Sequence, residues 1–404
     1  MNRLLTHAKS ILPELQELRR RLHAFPEIGL DLPETQAAVI SALAGLDLEV
    51  STGEETTSVV AVLRGTHPQK PSDAPAVLLR GDMDGLPLQE DTGEPFAATN
   101  GNMHACGHDL HTAGLVGAAR VLHEHRDQLR GDVVLMFQPG EEGYNGASVM
   151  IDEGVLKAAG KMAVAAFGVH VTTSPPGVVS TKTGTLQAGA NVLRVTIHGN
   201  GGHGSQPHAA DDPVPALAEL ITACQNMITR RVDTFDPVVM SITQLSASEA
   251  VNIIPASASF AATIRTLSES SLDIVRTRSR QLAEGIASAH GCTAEVDFEV
   301  QYPVTVNDDD ETRWALGEVS RLLGPDRVEE LSHPIMPSED FSFVLQEVPG
   351  TYMMLGAQRS DVPDEEQADN HSPNVTFDDS VLGDQAALLA HLAIARLEKA
   401  SGAS

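Results

Sequence analysis

The stretch Val133-Val134-Leu135-Met136-Phe137-Gln138-Pro139-Gly140-Glu141-Glu142-Gly143 is an apolar run that ends in a turn carrying two adjacent carboxylates. Consecutive apolar residues bounded by proline and glycine predict a short strand buried on both faces of a sheet. Comparable apolar runs lie at 59–63, 76–79 and 163–169, and a helical stretch at 113–123 follows the second of them. This alternation predicts an α/β sheet, in which ligands gather where the strands end.

A second stretch, Asn102 to His111, holds three histidines, one cysteine and one aspartate. Imidazole nitrogen and thiolate sulfur are donors that zinc prefers, and Cys106 and His108 can converge on one ion because they lie two residues apart on a turn. Two ligands do not complete a catalytic metal site, so further donors must come from elsewhere in the chain. The remote candidates are Glu141, Glu142, His170 and His371.

Other interpretations exist for the residues of this stretch. Cys106 close to a histidine can be a nucleophile, or it can be a buried and inert thiol. Three histidines around one cysteine favour metal binding instead. For His104 and His111 we expect only hydrogen bonding or a place in the lining of the site.

Carboxylates follow two of the predicted strands. Asp82 and Asp84 lie in the stretch 80–87. Such pairs most often form turns or cap helices, but this one leads toward the Cys-His cluster, and Asp84 is a candidate to orient a ligating histidine. Glu141 and Glu142 can point in different directions, so that one binds metal while the other carries protons. Adjacent glutamates alone are usually solvated, and the strand before them favours a functional role.

A different pattern begins near Leu186. The predicted elements are a strand at 191–198, a helix at 213–231, strands at 238–245 and 257–267, a helix at 270–290 and a strand at 293–300. This order resembles the ferredoxin-like split motif. Mixed α/β character returns after Pro303, so we expect an inserted domain at 187–300 between two parts of one catalytic domain, 1–186 and 301–404.

The turn Gly199 to Gly204 matches the glycine spacing of a dinucleotide-binding loop. Prolines and aspartates delay the next predicted helix to Pro213, so no helix N-terminus is available for a pyrophosphate. Nucleotide binding is therefore not favoured. We expect these glycines to let the backbone approach a ligand or a neighbouring subunit, with His203 at the tip.

Composition narrows the classes of protein. The 404 residues are 42% apolar and 20% charged, which is typical of globular proteins. The formal net charge of −28 argues against binding nucleic acid or anionic lipid, since both require a basic surface. Three widely spaced cysteines form no disulfide pattern. With no apolar signal core and no run of about 20 apolar residues, we expect a cytoplasmic protein.

Together these motifs resemble a known family: the dinuclear metallo-amidohydrolases that include hippurate hydrolase, indole-acetyl-amino-acid hydrolases and N-acyl-amino-acid deacylases, within the aminoacylase and carboxypeptidase clan. The resemblance covers nearly the whole chain. The matching stretches are Leu22–Glu27, Arg80–Pro87, Met103–His111, Phe137–Gly143, Gly202–Pro207, Asn252–Pro255, Ser338–Phe341 and His371–Pro373.

The resemblance implies a zinc-peptidase-like α/β catalytic domain with an inserted ferredoxin-like lid and dimerisation domain. It also implies two divalent metal ions, zinc or manganese first, with cobalt or nickel as alternatives. The implied metal ligands are Cys106, His108, Glu142, His170 and His371. Asp82 stands where other members of the clan have a metal-binding histidine, and Cys106 stands where they have a bridging aspartate.

The resemblance further implies hydrolysis of the amide bond of N-acyl-L-amino acids, in a homodimer or a dimer-based oligomer. Glu141 would be the general base, Asp84 would belong to the catalytic residues as the carboxylate that orients a ligating histidine, and His203 would stabilise the oxyanion in a partner's active site. Asn252 and Arg265 would bind substrate, and the arginine suits a free carboxylate. A dipeptidase or carboxypeptidase of the same clan is the main alternative. A binding protein without turnover and a thiol-dependent hydrolase are the others.

Overall fold

The predicted strands and helices are present in the computed structural model, which describes residues 3–402. Within this range the α-helices are α1 (Arg3–Ser10), α2 (Leu12–His23), α3 (Pro33–Leu43), α4 (His108–Glu124), α5 (Gly146–Asp152), α6 (Pro213–Arg231), α7 (Glu269–Ala289), α8 (Asp309–Leu323), α9 (Phe341–Glu347) and α10 (Leu382–Ala400). The strands are β1 (Glu49–Thr52), β2 (Val59–Arg64), β3 (Ala76–Asp82), β4 (Asp132–Gln138), β5 (Ala165–Thr172), β6 (Val179–Thr181), β7 (Gly184–Gln187), β8 (Gly189–His198), β9 (Gly202–His203), β10 (Val239–Ser246), β11 (Ile253–Ile254), β12 (Ser257–Thr266), β13 (Thr293–Tyr302), β14 (Thr305–Asn307), β15 (Val328–Glu330) and β16 (Gly350–Gly356). The predicted α/β fold is confirmed.

The largest sheet has the strand order β1-β2-β4-β3-β5-β16-β6-β15. Its central strand β3 is parallel to both neighbours, β4 and β5. Every residue of β3 and β4 is buried, which explains the apolar runs at 76–79 and 133–137 within them. Parallel strands end at the same edge of a sheet, so the residues at the carboxyl ends of β3, β4 and β5 share one edge.

The helices α4 and α10 pack against each other and against β3. In α4 every residue from His108 to Ala119 is buried, as expected for a helix inside the core of a large domain. Apolar side chains of α1, α2 and α3 extend this core. Within residues 3–402, no helix has the length and apolar character needed to cross a membrane.

The chain divides into two compact units. The first contains the chain up to Leu186, Val306–His333 and the chain from Asp340; the second contains Gln187–Thr305 and Pro334–Glu339. The predicted boundaries at 187 and 300 stay a prediction, and they differ from this division at two places. Strand β13 continues to Tyr302, and the backbone N–H of Ala188 donates to the carbonyl groups of Ile335 and Pro337.

The second unit contains a four-stranded sheet in the order β10-β12-β8-β13, with every neighbouring pair antiparallel. Strands and helices follow one another as β8, α6, β10, β12, α7 and β13, the order of a ferredoxin-like split motif. Helices α6 and α7 cover the apolar face of this sheet. The short pair β9–β11 is separate and joins His203 to Ile253.

Candidate metal centre

His108 is the first residue of α4, and its position depends on the glycine before it. Gly107 has φ +85°, and a Cβ atom there would lie 2.3 Å from Cγ2 of Val171, so only glycine fits. Nδ1 of His108 donates to the carbonyl oxygen of Asp84 at 2.9 Å. Among the described residues Nε2 has no hydrogen-bond partner, although the side chain is 1% exposed. Such a buried nitrogen indicates a missing ligand.

Cys106 lies between two further histidines. Its Sγ atom is 3.3 Å from Nε2 of His170 and 3.2 Å from Nε2 of His371. His170 lies within β5, which is longer than the predicted strand, and its Nδ1 donates to the carbonyl oxygen of Val171 at 2.7 Å. Both imidazoles therefore present Nε2 to the sulfur.

His371 reaches this cluster from a distant loop. Its φ of +70° lies in the left-handed region, which is costly for a residue with a Cβ atom. The backbone N–H of His371 donates to the carbonyl oxygen of Ala105 at 2.9 Å, which ties the loop to the residue before Cys106. Strain that the surrounding structure maintains in this way is typical of functional positions.

The two adjacent glutamates follow β4 on a loop that Asp84 holds. The carboxylate of Asp84 accepts the backbone N–H groups of Glu141 and Glu142, both at 3.0 Å. Oε1 of Glu142 is 3.2 Å from Nε2 of His371 and 4.0 Å from Nε2 of His108. Glu141 is 6% exposed. Asp84 thus places both glutamates and orients His108 through its own carbonyl group.

The donor atoms form adjoining groups in which all atoms lie within 4.8 Å of one another. The groups are Cys106–His108–His170, Cys106–Glu142–His371 and His108–Glu141–Glu142. The first two groups share the sulfur of Cys106. Thiolate, imidazole and carboxylate are together a donor set for a borderline-soft divalent cation.

The charges of this cluster fit a cation. Burial by itself would raise the pKa of the Cys106 thiol, but the neighbouring His170 and His108 hold that pKa well below its ordinary value. Hydrogen bonds to Cys106 and Glu142 raise the pKa of His371 to about 10. The anionic sulfur and carboxylate therefore attract positive charge, which a divalent ion supplies. The donor set and the unpartnered Nε2 of His108 both fit a metal ion.

His111, Asp82 and His108 form another group of possible donors, but His111 and Asp82 already have partners. Nε2 of His111 accepts the backbone N–H of Val171 at 2.8 Å, and Nδ1 is 2.5 Å from Oδ1 of Asp82. Oδ2 of Asp82 accepts from Arg80 at 2.6 Å. Both nitrogens of His111 are engaged, in line with the expectation that it only hydrogen-bonds.

His104 is also buried, with 2% of its surface exposed. Neither ring nitrogen has a hydrogen-bond partner among the described residues. Burial lowers the pKa of His104 to about 3, so this imidazole is neutral. It lies outside every group of convergent donor atoms found in residues 3–402.

Arg80 and Asp340, close to Asp82, are two buried charged residues to which the sequence analysis assigned no role. Arg80 donates to Asp82 and, at 3.0 Å, to Asp340, and the carboxylate of Asp340 also accepts from Gln138 at 2.8 Å and from the backbone N–H of Ala147 at 2.9 Å. An arginine inside an otherwise apolar strand is the signal that was available, because a buried guanidinium requires anionic partners.

The remaining predicted site residues belong to the second unit. His203 is exposed, and its Nδ1 accepts the backbone N–H of Ser205 at 3.2 Å. The carbonyl oxygen of Asn252 accepts from Gly204 at 2.8 Å. Arg265 donates to Thr263 at 2.9 Å and to the carbonyl of Ile264 at 3.3 Å, and burial lowers its pKa. The roles assigned to these residues and to the metal ligands stay predictions.

An α/β sheet with thiolate, imidazole and carboxylate donors gathered at its carboxyl edge defines a class, the metal-dependent enzymes. The sequence profile of peptidase family M20/M25/M40 matches residues 78–395. The chain belongs to this family, and it is a metal-dependent hydrolase of amide bonds.

Individual relatives span nearly the whole chain. A thermostable carboxypeptidase 1 of Saccharolobus solfataricus is 36% identical over 94% of this chain and 94% of its own length. An IAA-amino acid hydrolase, ILR1-like 5, of Arabidopsis thaliana is 37% identical over 93% of this chain and 85% of its own. The solved structure of the YXEP protein of Bacillus subtilis, described as a dinuclear metal binding peptidase of the M20 family, superposes with a TM-score of 0.81 at 30% identity, covering 96% of this chain and 99% of that one.

Proposed function

We propose that the protein hydrolyses the amide bond of N-acyl-L-amino acids and releases a carboxylic acid and a free amino acid. The observation that carries this proposal is the convergence of Cys106, His108, Glu142, His170 and His371 beside the buried Glu141. The similarity to an IAA-amino acid hydrolase supports the substrate class.

Two divalent ions would be held by these donors. Cys106, His108 and His170 form one group, and Cys106, Glu142 and His371 form the other, with the sulfur common to both. The thiolate favours zinc; manganese, cobalt and nickel are the alternatives. When bound, such ions polarise the scissile carbonyl group and lower the pKa of water.

Glu141 is proposed as the proton carrier. Its backbone is held by Asp84, and its carboxylate lies in one group with Glu142 and His108. A carboxylate in this position takes a proton from the attacking water and returns it to the leaving nitrogen. Glu142 is left to bind metal, so the adjacent glutamates divide the two tasks.

His203 is proposed to donate a hydrogen bond to the oxyanion. Nδ1 of His203 accepts the backbone N–H of Ser205 at 3.2 Å and lies 2.8 Å from the Ser205 hydroxyl oxygen. A ring nitrogen that accepts leaves the ring proton on the other nitrogen, Nε2, and the exposed side chain can donate it. This is the tautomer that an oxyanion donor requires.

Arg265 and Asn252 are proposed to bind the rest of the substrate. The Arg265 guanidinium is half-buried, and among residues 3–402 its hydrogen bonds go only to a hydroxyl and a carbonyl group. A partly desolvated guanidinium that bonds no carboxylate among the described residues suits the free carboxylate of an N-acyl amino acid. Asn252 lies beside the turn that carries His203, since its carbonyl group accepts from Gly204.

A dipeptidase or carboxypeptidase activity is the second candidate. The similarity to a thermostable carboxypeptidase favours it. Both activities cleave an amide bond next to a free carboxylate, and they differ in the acyl group that is removed.

The test is amine release from N-acetyl, N-benzoyl and longer N-acyl amino acids, their carboxyl-amidated forms and dipeptides. The full chain is assayed before chelation, after chelation, and after restoring zinc, manganese, cobalt or nickel. We expect activity on N-acyl amino acids that a chelator abolishes and a metal restores, with much weaker cleavage of the amidated forms. Glu141→Gln should lower kcat by about 10² or more while keeping bound metal, and the exposed Glu365→Gln is the matched control.

Cleavage confined to dipeptides would favour the second candidate. Turnover that survives complete metal removal would contradict the metal centre, and an unimpaired Glu141→Gln variant would contradict the role of Glu141. Equal cleavage of amidated substrates would contradict carboxylate recognition by Arg265.

We also propose that the protein is a homodimer formed along β10. This strand is at the edge of the four-stranded sheet, and Val239 and Leu245 on it are 44% and 66% exposed. Open strand edges with apolar residues are a liability that proteins usually cover. Pairing with β10 of a second copy would satisfy this edge.

A further inference from the structure

His111 is a buried histidine whose hydrogen bonds define its tautomer. The backbone N–H of Val171 donates to Nε2 at 2.8 Å, so Nε2 carries no proton. Nδ1 holds the ring proton and donates it to Oδ1 of Asp82 at 2.5 Å. The side chain is 1% exposed, and neither nitrogen is free to bind a metal ion.

This imidazole connects two strands beyond the end of their ladder. Strands β3 and β5 pair from Val77 opposite Ala165 as far as Arg80 opposite Gly168. Past this point His111, which comes from α4, takes the place of direct pairing. It binds a β3 side chain with Nδ1 and the β5 backbone with Nε2.

The β5 end of this connection is adjacent to His170. Nδ1 of His170 donates to the carbonyl oxygen of Val171 at 2.7 Å, which turns Nε2 toward Cys106 at 3.3 Å. The rings of His111 and His170 also pack edge to face, with centroids 4.6 Å apart. The location of Val171 therefore determines where His170 presents its donor atom.

The β3 end is anchored by buried charges. Oδ2 of Asp82 accepts from Arg80 at 2.6 Å, and the same guanidinium donates to Asp340 at 3.0 Å. All three side chains are at most 2% exposed. Asp82 thus gives His111 a rigid point of attachment.

We propose that His111 is a positioning residue for the metal centre, which holds Val171 through Nε2 so that His170 presents its own Nε2 beside Cys106. The inference rests on the proposed function, since it takes His170 and Cys106 as metal ligands. Partners that orient a ligating histidine typically change metal affinity by about 10- to 100-fold when they are removed.

Two amide substitutions separate the two bonds of His111. The amide of glutamine reaches about as far as Nε2 of His111, so its oxygen can still accept the backbone N–H of Val171. The amide of asparagine reaches only as far as Nδ1 of His111, so its NH₂ group can still donate to Asp82 but Val171 loses its acceptor. We expect His111→Asn to bind Co²⁺ about 10- to 100-fold more weakly than the wild type, and His111→Gln to bind it with close to wild-type affinity. His391→Gln is the control, because His391 is a mostly buried histidine of α10 that bonds Glu318.

The measurements are Co²⁺ affinity by titration and the thiolate-to-cobalt absorption band, which reports whether Cys106 binds the ion. Wild-type affinity in both His111 variants, or an equal loss in both, would overturn the proposal. If His111→Asn does not fold, the glutamine variant still tests the proposal, because weaker Co²⁺ binding by His111→Gln would contradict the role of the bond to Val171. A wild-type protein without the absorption band would overturn the metal centre itself, so the two failures are distinguishable.

Discussion

At the scale of single residues, hydrogen bonds determine which nitrogen each histidine offers. His108 and His170 both donate from Nδ1 to a backbone carbonyl, which leaves Nε2 for the donor cluster. His111 uses both nitrogens and offers none. His108 and His111 are only three residues apart, and they have different tasks because their hydrogen-bond partners differ.

His23 allows a prediction about pH. Nδ1 lies 2.8 Å from the carboxylate of Asp109, and Nε2 lies 3.2 Å from that of Glu90. Burial and the nearby Arg19 oppose protonation, but the two carboxylates outweigh them and raise the pKa above the ordinary 6.5. A raised folded-state pKa means that the stabilisation is fully present below about pH 6.5 and is lost as pH rises through the folded pKa.

We therefore expect the free energy of unfolding of His23→Gln to fall further below that of the wild type at about pH 6 than at about pH 9. The measurement is the midpoint of urea unfolding of both proteins at each pH. A chelator is present, so that pH-dependent metal binding does not contribute to the stability difference. A destabilisation that is the same at both pH values would contradict a charged His23.

At the scale of elements, the site is assembled from the ends of parallel strands and the start of one helix. Asp82 ends β3, the glutamates follow β4, and His170 lies near the end of β5. Gly107 allows α4 to begin close to β5, because its missing Cβ makes room for Val171. The backbone thus brings Cys106 and His108 to the edge where the carboxylates already are.

Two glycines provide a matched test of this close approach. Gly107 and Gly101 have nearly the same φ, +85° and +84°, but a Cβ atom would clash at Gly107 and would meet nothing within 4 Å at Gly101. Alanine at either position costs about 1 to 2 kcal/mol for the left-handed backbone. We expect Gly107→Ala to lose more stability than Gly101→Ala and also to bind Co²⁺ more weakly. Thermal unfolding and titration check this, and equal effects of the two changes would contradict it.

At the scale of the whole molecule, the chain leaves the first unit after Leu186 and returns at Val306. The predicted α/β fold is confirmed, since apolar runs and helical periodicity are local signals. The exact domain limits were harder to predict, because the backbone contacts that join Pro334–Glu339 to the second unit connect distant parts of the chain. Which strand would be left at the edge of its sheet, as β10 is, was equally invisible to local pattern.

The proposed dimer is tested by disrupting that edge. We expect the wild type to have twice the mass of one chain by light scattering, and Leu245→Glu to have the mass of one chain, because a charge opposes strand pairing. Val50→Glu is the matched control: Val50 is 43% exposed on β1, an edge strand of the larger sheet, and the change should leave the mass unaltered. A monomeric wild type, or a dimer that persists in Leu245→Glu, would contradict the proposal.

The sequence by itself determined the types of donor, the strands they follow and the family, because each depends on residues that are neighbours in the chain. Only the tertiary structure decided that His111 bonds Asp82 and Val171, that Arg80 joins Asp82 to Asp340, and that His371 reaches Cys106. Cys106 and His371 are 265 positions apart, and Arg80 and Asp340 are 260 apart. Such pairs form because strand order brings distant segments to one edge, and because a buried charge is costly unless it has a partner there.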